Sequence, residues 1–259
     1  MEYAFEIKHA YLRRDGEYIL EDVNLSIKKG ERIAIVGPNG AGKSSLMDVL
    51  SRVVYPLYRD DYKNRILGQE RWIISELKPL IGRISPQDDA FFNTTYPVRE
   101  IVASGLHSSL GFDFHHVVDE ETWILADKAL EKAGILHLKN RAMNTLSTGE
   151  KRRVILSRAT ITNPLILLLD EASNGLDFPS RADLRETIRT YLTDNRTVVM
   201  VTHELSEILP EVDRVLLMKE GKIVFDGKKE LALTSDMLSQ LYERKVEVSE
   251  KNGIYTAFC

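Results

Sequence analysis

The sequence predicts an α/β fold built around a largely parallel sheet. Apolar runs of four to seven residues recur along the chain, and stretches with helical periodicity separate them. Short buried strands that alternate with helices are typical of a parallel sheet covered on both faces. In contrast, residues 97–162 carry helical patterns and no convincing strand. We therefore expect an α/β core that is interrupted by an all-helical segment.

The first predicted elements are strands that form an antiparallel region. Apolar and polar residues alternate from Phe5 to His9 and again from Ile19 to Ile27, as expected for half-buried strands. A short apolar strand follows at Arg32–Val36, and a helical pattern begins at Gly42. Residues 53–65 combine aromatic and charged side chains without periodicity, so we expect an irregular connection there.

The remaining predicted elements continue the alternation. Further strands are expected at Arg71–Ser75, Ile81–Ile84, Leu165–Leu169, Thr197–Val201, Val212–Met218 and Lys222–Phe225. Helices are expected at Val98–Gly105, Glu120–Ala133, Glu150–Ile161, Ser180–Leu192 and Glu204–Leu209.

Charge and composition exclude several classes of protein. The chain has 259 residues and a formal net charge of −4, whereas domains that bind mainly nucleic acid are usually basic. Its longest run without charged residues extends over 12 residues, from Ile101 to Phe112, and a membrane-spanning helix needs ~20 apolar residues. The single cysteine, Cys259, permits no internal disulfide, which favours a reducing compartment. We expect a cytoplasmic protein for which nucleic acid is not the main partner.

Residues 37–44 form the most informative motif. The run GPNGAGKS fits the phosphate-binding pattern G-x-x-x-x-G-K-[ST] between a predicted strand and a predicted helix. Glycines let successive N–H groups point at a polyphosphate, and the helix N-terminus favours negative charge. Lys43 is expected to reach the β- and γ-phosphates, and the Ser44 hydroxyl to coordinate Mg²⁺. The motif predicts a P-loop NTPase core that binds a nucleoside triphosphate.

Two carboxylates follow a strongly apolar strand. Asp170 and Glu171 come directly after Leu165–Leu169, and the carboxyl ends of strands in open α/β sheets face the ligand crevice. An aspartate there can hold the hydration shell of Mg²⁺, and the adjacent glutamate can activate an attacking water. We expect Asp170 to be a magnesium residue and Glu171 to be the general base.

Further motifs, in order, resemble those of ATP-binding cassette (ABC) ATPases. The run LSTGE at 146–150 resembles the signature motif, usually LSGGQ. Gln87 resembles the Q-loop glutamine, residues 173–177 (SNGLD) the D-loop, His203 the switch histidine, and Tyr11 the aromatic residue that stacks on adenine. The resemblance extends from about Phe5 to Gly227, nearly the whole chain.

The resemblance implies roles for individual residues. The catalytic residues would be Glu171, His203 and Lys43. The ATP-binding residues would be Tyr11, Gly37, Pro38, Asn39, Gly40, Ala41, Gly42, Lys43, Ser44 and Ser45, and the Mg²⁺ residues would be Ser44, Gln87 and Asp170. In a head-to-tail homodimer, the ATP of the partner subunit would be bound by Ser147, Thr148, Gly149, Glu150 and Asp177.

The resemblance also implies a domain organisation. Residues 1–87 and 163–259 would form the ATPase core with its antiparallel β region, and residues 88–162 a helical subdomain that carries the signature. Thr148 and Glu150 depart from the usual signature, where glycine and glutamine stand, and Ala172 replaces a proline. None of these departures removes a charge that hydrolysis needs, so we expect ATP turnover.

Three interpretations within the ABC family remain open. One is the nucleotide-binding subunit of a transporter that docks on a separate membrane permease, near Gln87 and the helical subdomain, on the inner face of the cell membrane. The tail sequence resembles importers of the iron-siderophore and cobalamin type, whereas LSTGE also resembles molybdenum-associated cassettes. The alternative is a soluble ABC ATPase without a permease that acts in nucleic-acid repair or another cytoplasmic process. A third and weaker reading is a nucleotide-sensing regulatory module.

Overall fold

A computed structural model describes residues 2–107, 109, 118–192 and 196–259. In chain order, the strands are β1 (Tyr3–Arg14), β2 (Glu17–Lys28), β3 (Arg32–Val36), β4 (Lys63–Ile66), β5 (Ile81–Ile84), β6 (Ile166–Asp170), β7 (Thr197–Val201), β8 (Arg214–Lys219), β9 (Lys222–Lys228), β10 (Glu247–Lys251) and β11 (Ile254–Phe258). The α-helices are α1 (Lys43–Leu50), α2 (Ile74–Leu77), α3 (Asp88–Phe91), α4 (Val98–Ala103), α5 (Glu120–Lys132), α6 (Thr148–Thr160), α7 (Phe178–Thr190), α8 (Lys229–Ala232) and α9 (Ser235–Tyr242).

The chain divides into two compact units. The first comprises Met1–Trp72 and Thr197–Cys259, and the second comprises Ile73–Arg196. The predicted helical subdomain, 88–162, lies within the second unit, and its boundaries stay a prediction.

The first unit contains an antiparallel sheet and a mainly parallel sheet. The antiparallel sheet has the order β2-β1-β4. In the other sheet, β3 pairs in parallel with β7 and β8, and β9 pairs antiparallel with β8. Residues 33–36 of β3 are fully buried, as expected for a central strand covered on both faces. The predicted α/β class with an antiparallel N-terminal region is confirmed.

The second unit combines a parallel strand pair with packed helices. Strands β5 and β6 run parallel, and all five residues of β6 are buried. Helices α4, α5 and α6 pack on one another, and α6 also packs on β5 and α7. An ion pair between Arg99 and Asp127, at 2.6 Å, joins α4 to α5. The α6–β5 contact is close, because a Cβ on Gly82 would lie 2.4 Å from the Ala159 carbonyl oxygen.

Three sequence-based expectations are wrong. Residues 71–73 are not a strand, and α2 begins at Ile74. The segment 53–65 is not wholly irregular, because its last residues enter β4, which pairs with β1. Only one 3₁₀ turn, Leu205–Glu207, forms where a helix was expected. Ile208, with ψ 118°, is already extended, and Pro210 restricts only Leu209, the residue directly before it.

No helix among the described residues is both long enough and apolar enough to span a membrane. Part of the longest uncharged run, residues 108 and 110–112, lies outside the described residues.

Candidate functional site

The phosphate-binding motif connects β3 to α1. Gly42 is the N-cap of α1, with φ 94°, and Lys43 is the first helical residue. A Cβ on Gly42 would also lie 2.6 Å from the Ile19 carbonyl oxygen. At Gly37 a Cβ would lie 2.2 Å from the Met218 carbonyl oxygen. Glycine is therefore required at Gly37 by close packing, and at Gly42 by both packing and the left-handed backbone.

Backbone hydrogen bonds brace this loop from two sides. The Gly221 N–H donates to the Ala41 carbonyl at 3.1 Å, and the Glu21 N–H donates to the Gly221 carbonyl at 3.0 Å. The loop is thereby tied to the β8–β9 turn and, through that turn, to β2. Its shape is determined largely by main-chain groups.

Lys43 is held inside the loop. Its Nζ donates to the carbonyl oxygens of Gly37, at 2.8 Å, and Pro38, at 2.9 Å, and the residue is buried. These bonds hold the ammonium group within the curve of the loop, where a phosphate would need a cation. Ser44 is exposed and Ser45 half-buried on the first turn of α1. The structure thus brings residues 37–45 together as one loop at a helix N-terminus, where an anion is favoured.

The two predicted carboxylates lie at the end of β6. Asp170 is its last residue and is 1% exposed, whereas Glu171 is half-buried. Glu171 has φ 47°, a left-handed conformation that is strained for a non-glycine residue. Strain of this kind concentrates at functional sites. The Asn174 Nδ2 lies 3.4 Å from Glu171 Oε2 and donates to it.

The predicted signature residues form the start of α6. Ser147 is the N-cap, and its Oγ accepts from the Glu150 N–H at 3.3 Å. The Glu150 carboxylate accepts in return from the Ser147 N–H, at 2.8 Å, and from its hydroxyl, at 3.0 Å. This is a capping box. Glu150 stands where the family usually has glutamine, and here its carboxylate stabilises the start of α6. Ser147 and Thr148 remain exposed.

The start of α6, which carries the signature, packs on the start of α7, which directly follows the D-loop. Asp177 is the N-cap of α7 and accepts from the Ser180 N–H at 3.0 Å. The pKa of Asp177 is lowered by the Ser180 side-chain and backbone hydrogen bonds. A Cβ on Gly149 would lie 2.6 Å from the Ser180 Oγ. The starts of α6 and α7 thus pack through Gly149 and Ser180, and Ser180 was not predicted from the sequence.

Gln87 is exposed and immediately precedes α3. Its segment is anchored to α6 by Arg152, a buried residue that the sequence did not single out. The Arg152 guanidinium lies 2.8 Å from an Asp89 carboxylate oxygen and donates to the Ser85 carbonyl at 3.2 Å. The sequence shows only an arginine on a predicted helix, and because most arginines are exposed, this pattern does not indicate a buried anchor. Asp88 is next to this contact, and burial raises its pKa.

His203 is exposed in the turn that follows β7. The turn is held by buried Thr202, whose hydroxyl donates to Glu207 Oε2 at 2.5 Å and accepts from the Glu204 N–H at 3.0 Å. His203 borders a cavity of about 390 Å³. The other residues that line it come from the phosphate loop (Gly37, Pro38 and Asn39), from Leu205, and from the C-terminal segment (Leu238, Tyr242, Arg244, Val246, Ala257 and Cys259). The structure therefore brings the predicted switch histidine and the phosphate loop to one cavity.

Tyr11 lies on β1 and is half-buried. It borders a second cavity, of about 480 Å³, together with Glu21, Asp22, Asn24, Lys222, Ile223 and Asp226. Its ring contacts Tyr18 edge-on, with centroids 5.9 Å apart.

The predicted magnesium residues offer suitable donors. Ser44 provides a hydroxyl, Asp170 a carboxylate and Gln87 an amide oxygen, and Mg²⁺ prefers oxygen ligands. No group of three or more His, Cys, Asp or Glu side chains forms a metal centre in the part of the chain that the structure describes.

Comparison with protein families decides the identity. The sequence profile of the ABC transporter family matches residues 20–174. The chain belongs to the ABC transporter family. Its activity is therefore that of an ABC ATPase, the hydrolysis of ATP. The matched residues include the phosphate loop, the signature motif and both carboxylates at the end of β6.

Relatives of this ABC protein carry matching names. It is 32% identical over 257 residues to the uncharacterized ABC transporter ATP-binding protein YlmA of Bacillus subtilis, covering 94% of this chain and 92% of YlmA. It is 29% identical to the hemin import ATP-binding protein HmuV of Bradyrhizobium diazoefficiens, covering 98% of this chain and 94% of HmuV. A putative ABC transporter ATP-binding protein of Saccharolobus solfataricus is also 29% identical, and this chain spans 47% of its length.

Solved ABC cassettes share the fold. CbiO1 of Clostridium perfringens, part of the transporter complex CbiONQ, has a TM-score of 0.76 and 25% identity, covering 93% of this chain and 94% of CbiO1. A dimeric cassette in a post-hydrolysis state, bound to ADP and phosphate, has a TM-score of 0.72 and 26% identity, covering 86% of this chain and 98% of that one. This ABC protein is thus an ATP-binding subunit whose ATPase activity serves transport.

Proposed function

We propose that this ABC ATPase works as a head-to-tail homodimer and drives the import of a solute through a separate membrane permease. Two relatives support the proposal: HmuV is named as a hemin import protein, and CbiO1 is part of a transporter complex. The similar cassette that is dimeric with ADP and phosphate supports the dimer. The alternative role in nucleic-acid repair is not favoured, since these relatives are named as transporter proteins and the net charge is −4.

The observation that carries the catalytic part is the pair Asp170–Glu171 at the end of a buried strand. In this proposal, Glu171 accepts a proton from the water that attacks the γ-phosphate. Its left-handed backbone, φ 47°, sets the direction in which the Glu171 side chain leaves the main chain. Lys43 neutralises phosphate charge from inside the loop, and His203 orients groups at the γ-phosphate.

Nucleotide and metal are assigned to the residues with matching donors. The triphosphate is bound by residues 37–45, and the base by Tyr11. Mg²⁺ is assigned to Ser44, Gln87 and Asp170, whose oxygen atoms fit its preference. When bound, Mg²⁺ would neutralise charge that develops on the phosphate oxygens.

The second half of each ATP site is assigned to the partner subunit. Ser147 and Thr148 are exposed at the N-terminus of α6, a helix of 13 residues, and such an end attracts phosphate. Gly149 and Glu150 complete this surface, and Asp177 lies beside them at the start of α7. In the proposed dimer these residues close over the ATP of the other subunit.

The permease is expected to dock near Gln87 and the helices that follow it. Between Ser85 and Thr122 the sequence has seven acidic residues and one basic residue, Arg99. Asp89 is paired with Arg152, whereas Asp119, Glu120 and Glu121 are exposed and fit a basic cytoplasmic loop of a permease. One of the acids, Asp113, lies outside the described residues. The protein would then be peripheral on the inner face of the cell membrane.

The catalytic proposal is tested with Glu171→Gln. We expect ATP binding to persist and turnover to fall by about a hundredfold or more, because a general base contributes at least that factor. ATP should then trap the dimer, as measured by light scattering. The matched control is Glu220→Gln, since Glu220 also has a left-handed backbone, φ 48°, in the exposed β8–β9 turn. Normal turnover in Glu171→Gln would contradict the assignment.

The transport proposal is tested by purification of the tagged Glu171→Gln protein from detergent-solubilised membranes of its own cells with ATP. Mass spectrometry should identify one multi-span membrane protein in stoichiometric amount. Recovery of nucleic acid or of no membrane partner, with the ATPase activity of the wild-type protein intact, would refute coupling to a permease and leave the ATPase assignment standing.

A further inference from the structure

The segment between α1 and β4 forms an exposed aromatic loop beside Tyr11. Val53, Tyr55, Leu57 and Tyr58 are all exposed, and Tyr58 is 89% exposed. The loop is fixed to β1 by a hydrogen bond of 2.7 Å from the Leu57 N–H to the Tyr11 carbonyl. It therefore returns to the strand that carries the residue assigned to the nucleotide base.

Arg59 of this loop lies over the Tyr11 ring. Its guanidinium carbon is 4.6 Å from the ring centroid, within the range of a cation–π contact. Asp61 holds the guanidinium in place through two bonds, from Nε to Oδ1 at 3.1 Å and from Nη2 to Oδ2 at 3.3 Å. The Asp61 hydrogen bond also raises the pKa of Arg59. The charged plane is thus fixed against the aromatic ring by a fork-shaped ion pair.

Such a pair is a suitable surface for a purine. Nucleotide bases stack on aromatic rings and on guanidinium planes alike. A ring that is already held by Arg59 and by the edge contact with Tyr18 loses little side-chain freedom when a base stacks on it. Arg59 is exposed and Tyr11 is half-buried, so solvent reaches both residues of the pair.

We infer that Arg59 is a second base-binding residue, and that the purine of ATP binds to the Tyr11–Arg59 pair rather than to Tyr11 alone. The inference rests on the proposed assignment of Tyr11 to the base. Asp61 acts as a positioning residue that keeps the guanidinium parallel to the base. The phosphate loop binds the other end of the nucleotide and is independent of this pair.

The test is Arg59→Ala in the full-length protein, measured by steady-state ATPase kinetics. We expect KM for ATP to rise about two- to fivefold, the size expected for loss of one exposed contact between a guanidinium and an aromatic base, while kcat stays unchanged. Inhibition by inorganic tripolyphosphate, which has no base, should keep its wild-type value. Asp61→Asn should raise KM by a smaller factor, because the neutral amide holds the guanidinium less firmly.

The matched control is Arg65→Ala. Arg65 is also exposed and forms the same kind of ion pair, with its Nε 2.9 Å from Glu70 Oε1, on neighbouring β4. Its removal should leave KM unchanged. Equal KM values in Arg59→Ala and Arg65→Ala would overturn the inference. A lower KM in Arg59→Ala than in the wild type would also overturn it, because Arg59 would then block access of the base to the Tyr11 ring.

A third variant separates this inference from the proposal on which it rests. If Tyr11→Ala raises KM and Arg59→Ala does not, Tyr11 binds the base without Arg59 and only the inference fails. If neither variant changes KM while wild-type turnover is normal, the base is bound elsewhere and both assignments fail. Thermal unfolding of each variant excludes loss of fold as the cause.

Discussion

The guanidinium of Arg152 lies 2.8 Å from the carboxylate of Asp89, and this ion pair joins α6 to the segment that follows Gln87. The Arg152 side chain is 2% exposed, whereas that of Asp89 is 34% exposed. The helix that begins at the signature motif is therefore anchored, through one buried arginine, to the segment assigned to the permease side.

Removal of this arginine should destabilise the protein. Arg152→Ala removes the ion-pair partner of the Asp89 carboxylate and one of the two hydrogen bonds that the Ser85 carbonyl accepts, the other coming from the Asp88 N–H. We expect a loss of about 2–4 kcal/mol in the free energy of unfolding. Urea unfolding measures it. Arg189→Ala removes an exposed pair with Glu186 and should cost about 0.5 kcal/mol or less. Equal losses in the two variants would show that burial of the Arg152 pair is energetically irrelevant.

The close packing of Gly149 on Ser180 predicts that a second substitution can restore activity. Gly149→Ala places a Cβ 2.6 Å from the Ser180 Oγ and 2.8 Å from its Cβ, so the starts of α6 and α7 must separate. We expect ATPase activity to fall at least about tenfold, because small displacements at a reacting site are costly. Ser180→Gly removes both clashing atoms, so the double variant should recover part of the activity. Additive effects of the two substitutions would contradict this packing.

The lowered pKa of Glu150 in the capping box predicts that the stability of the protein depends on pH. Burial alone would raise its pKa, but hydrogen bonds from Ser147 and the charges of Arg141 and Arg153 outweigh it and leave the pKa lowered. Because the folded pKa is depressed, the stabilisation is present above the ordinary glutamate value of about 4.3 and is lost as the pH falls through the depressed value.

Glu150→Gln should therefore flatten this part of the stability profile. The melting temperatures of wild type and variant should converge as the pH falls from 6 to 3, as measured by circular dichroism. Glu131→Gln changes the same charge at an exposed site on the last turn of α5 and serves as the control. A constant difference between wild type and Glu150→Gln across this range would count against a charged capping box.

Two substitutions of Thr202 distinguish the contribution of its hydroxyl from that of its side-chain shape. Thr202→Val retains the shape but removes the hydroxyl that bonds Glu207 and the Glu204 N–H. We expect a loss of about 1–3 kcal/mol in stability and a lower kcat, since the turn that carries His203 loses its brace. Thr202→Ser retains the hydroxyl and should keep kcat near the wild-type value. Loss of kcat in the serine variant would assign the effect to the methyl group.

Elements with strong local patterns could be predicted from the sequence. Strand β3 and the helix after it follow from the apolar run and the glycine motif, and β6 follows from its apolar run. Strand β4 could not be predicted, because its buried positions are Asn64 and Ile66 and so give no apolar alternation. Its pairing with β1 is a tertiary effect that outweighs local propensity.

The difference at residues 71–75 comes from a contact with β4. The apolar residues at 71–75 look like a strand, but the Trp72 indole donates to the Ile66 carbonyl at 3.0 Å and the chain enters α2. For the site, motif spacing predicted the residues of the phosphate loop and the end of β6. Arg59, Arg152 and Thr202 depend on contacts with residues at other positions in the chain, and no short pattern encodes these.

The brace around the phosphate loop has a consequence for nucleotide choice. Ala41 and Gly221 are joined through main-chain groups, and Gly37 packs directly against the β8 backbone. A receptor shaped by main chain is the same for every nucleoside triphosphate, because all of them present the same three phosphates. Discrimination among ATP, GTP and CTP must then reside at the base, and under the proposed assignment of the base to Tyr11 a change of preferred nucleotide requires substitutions around that residue rather than in the loop.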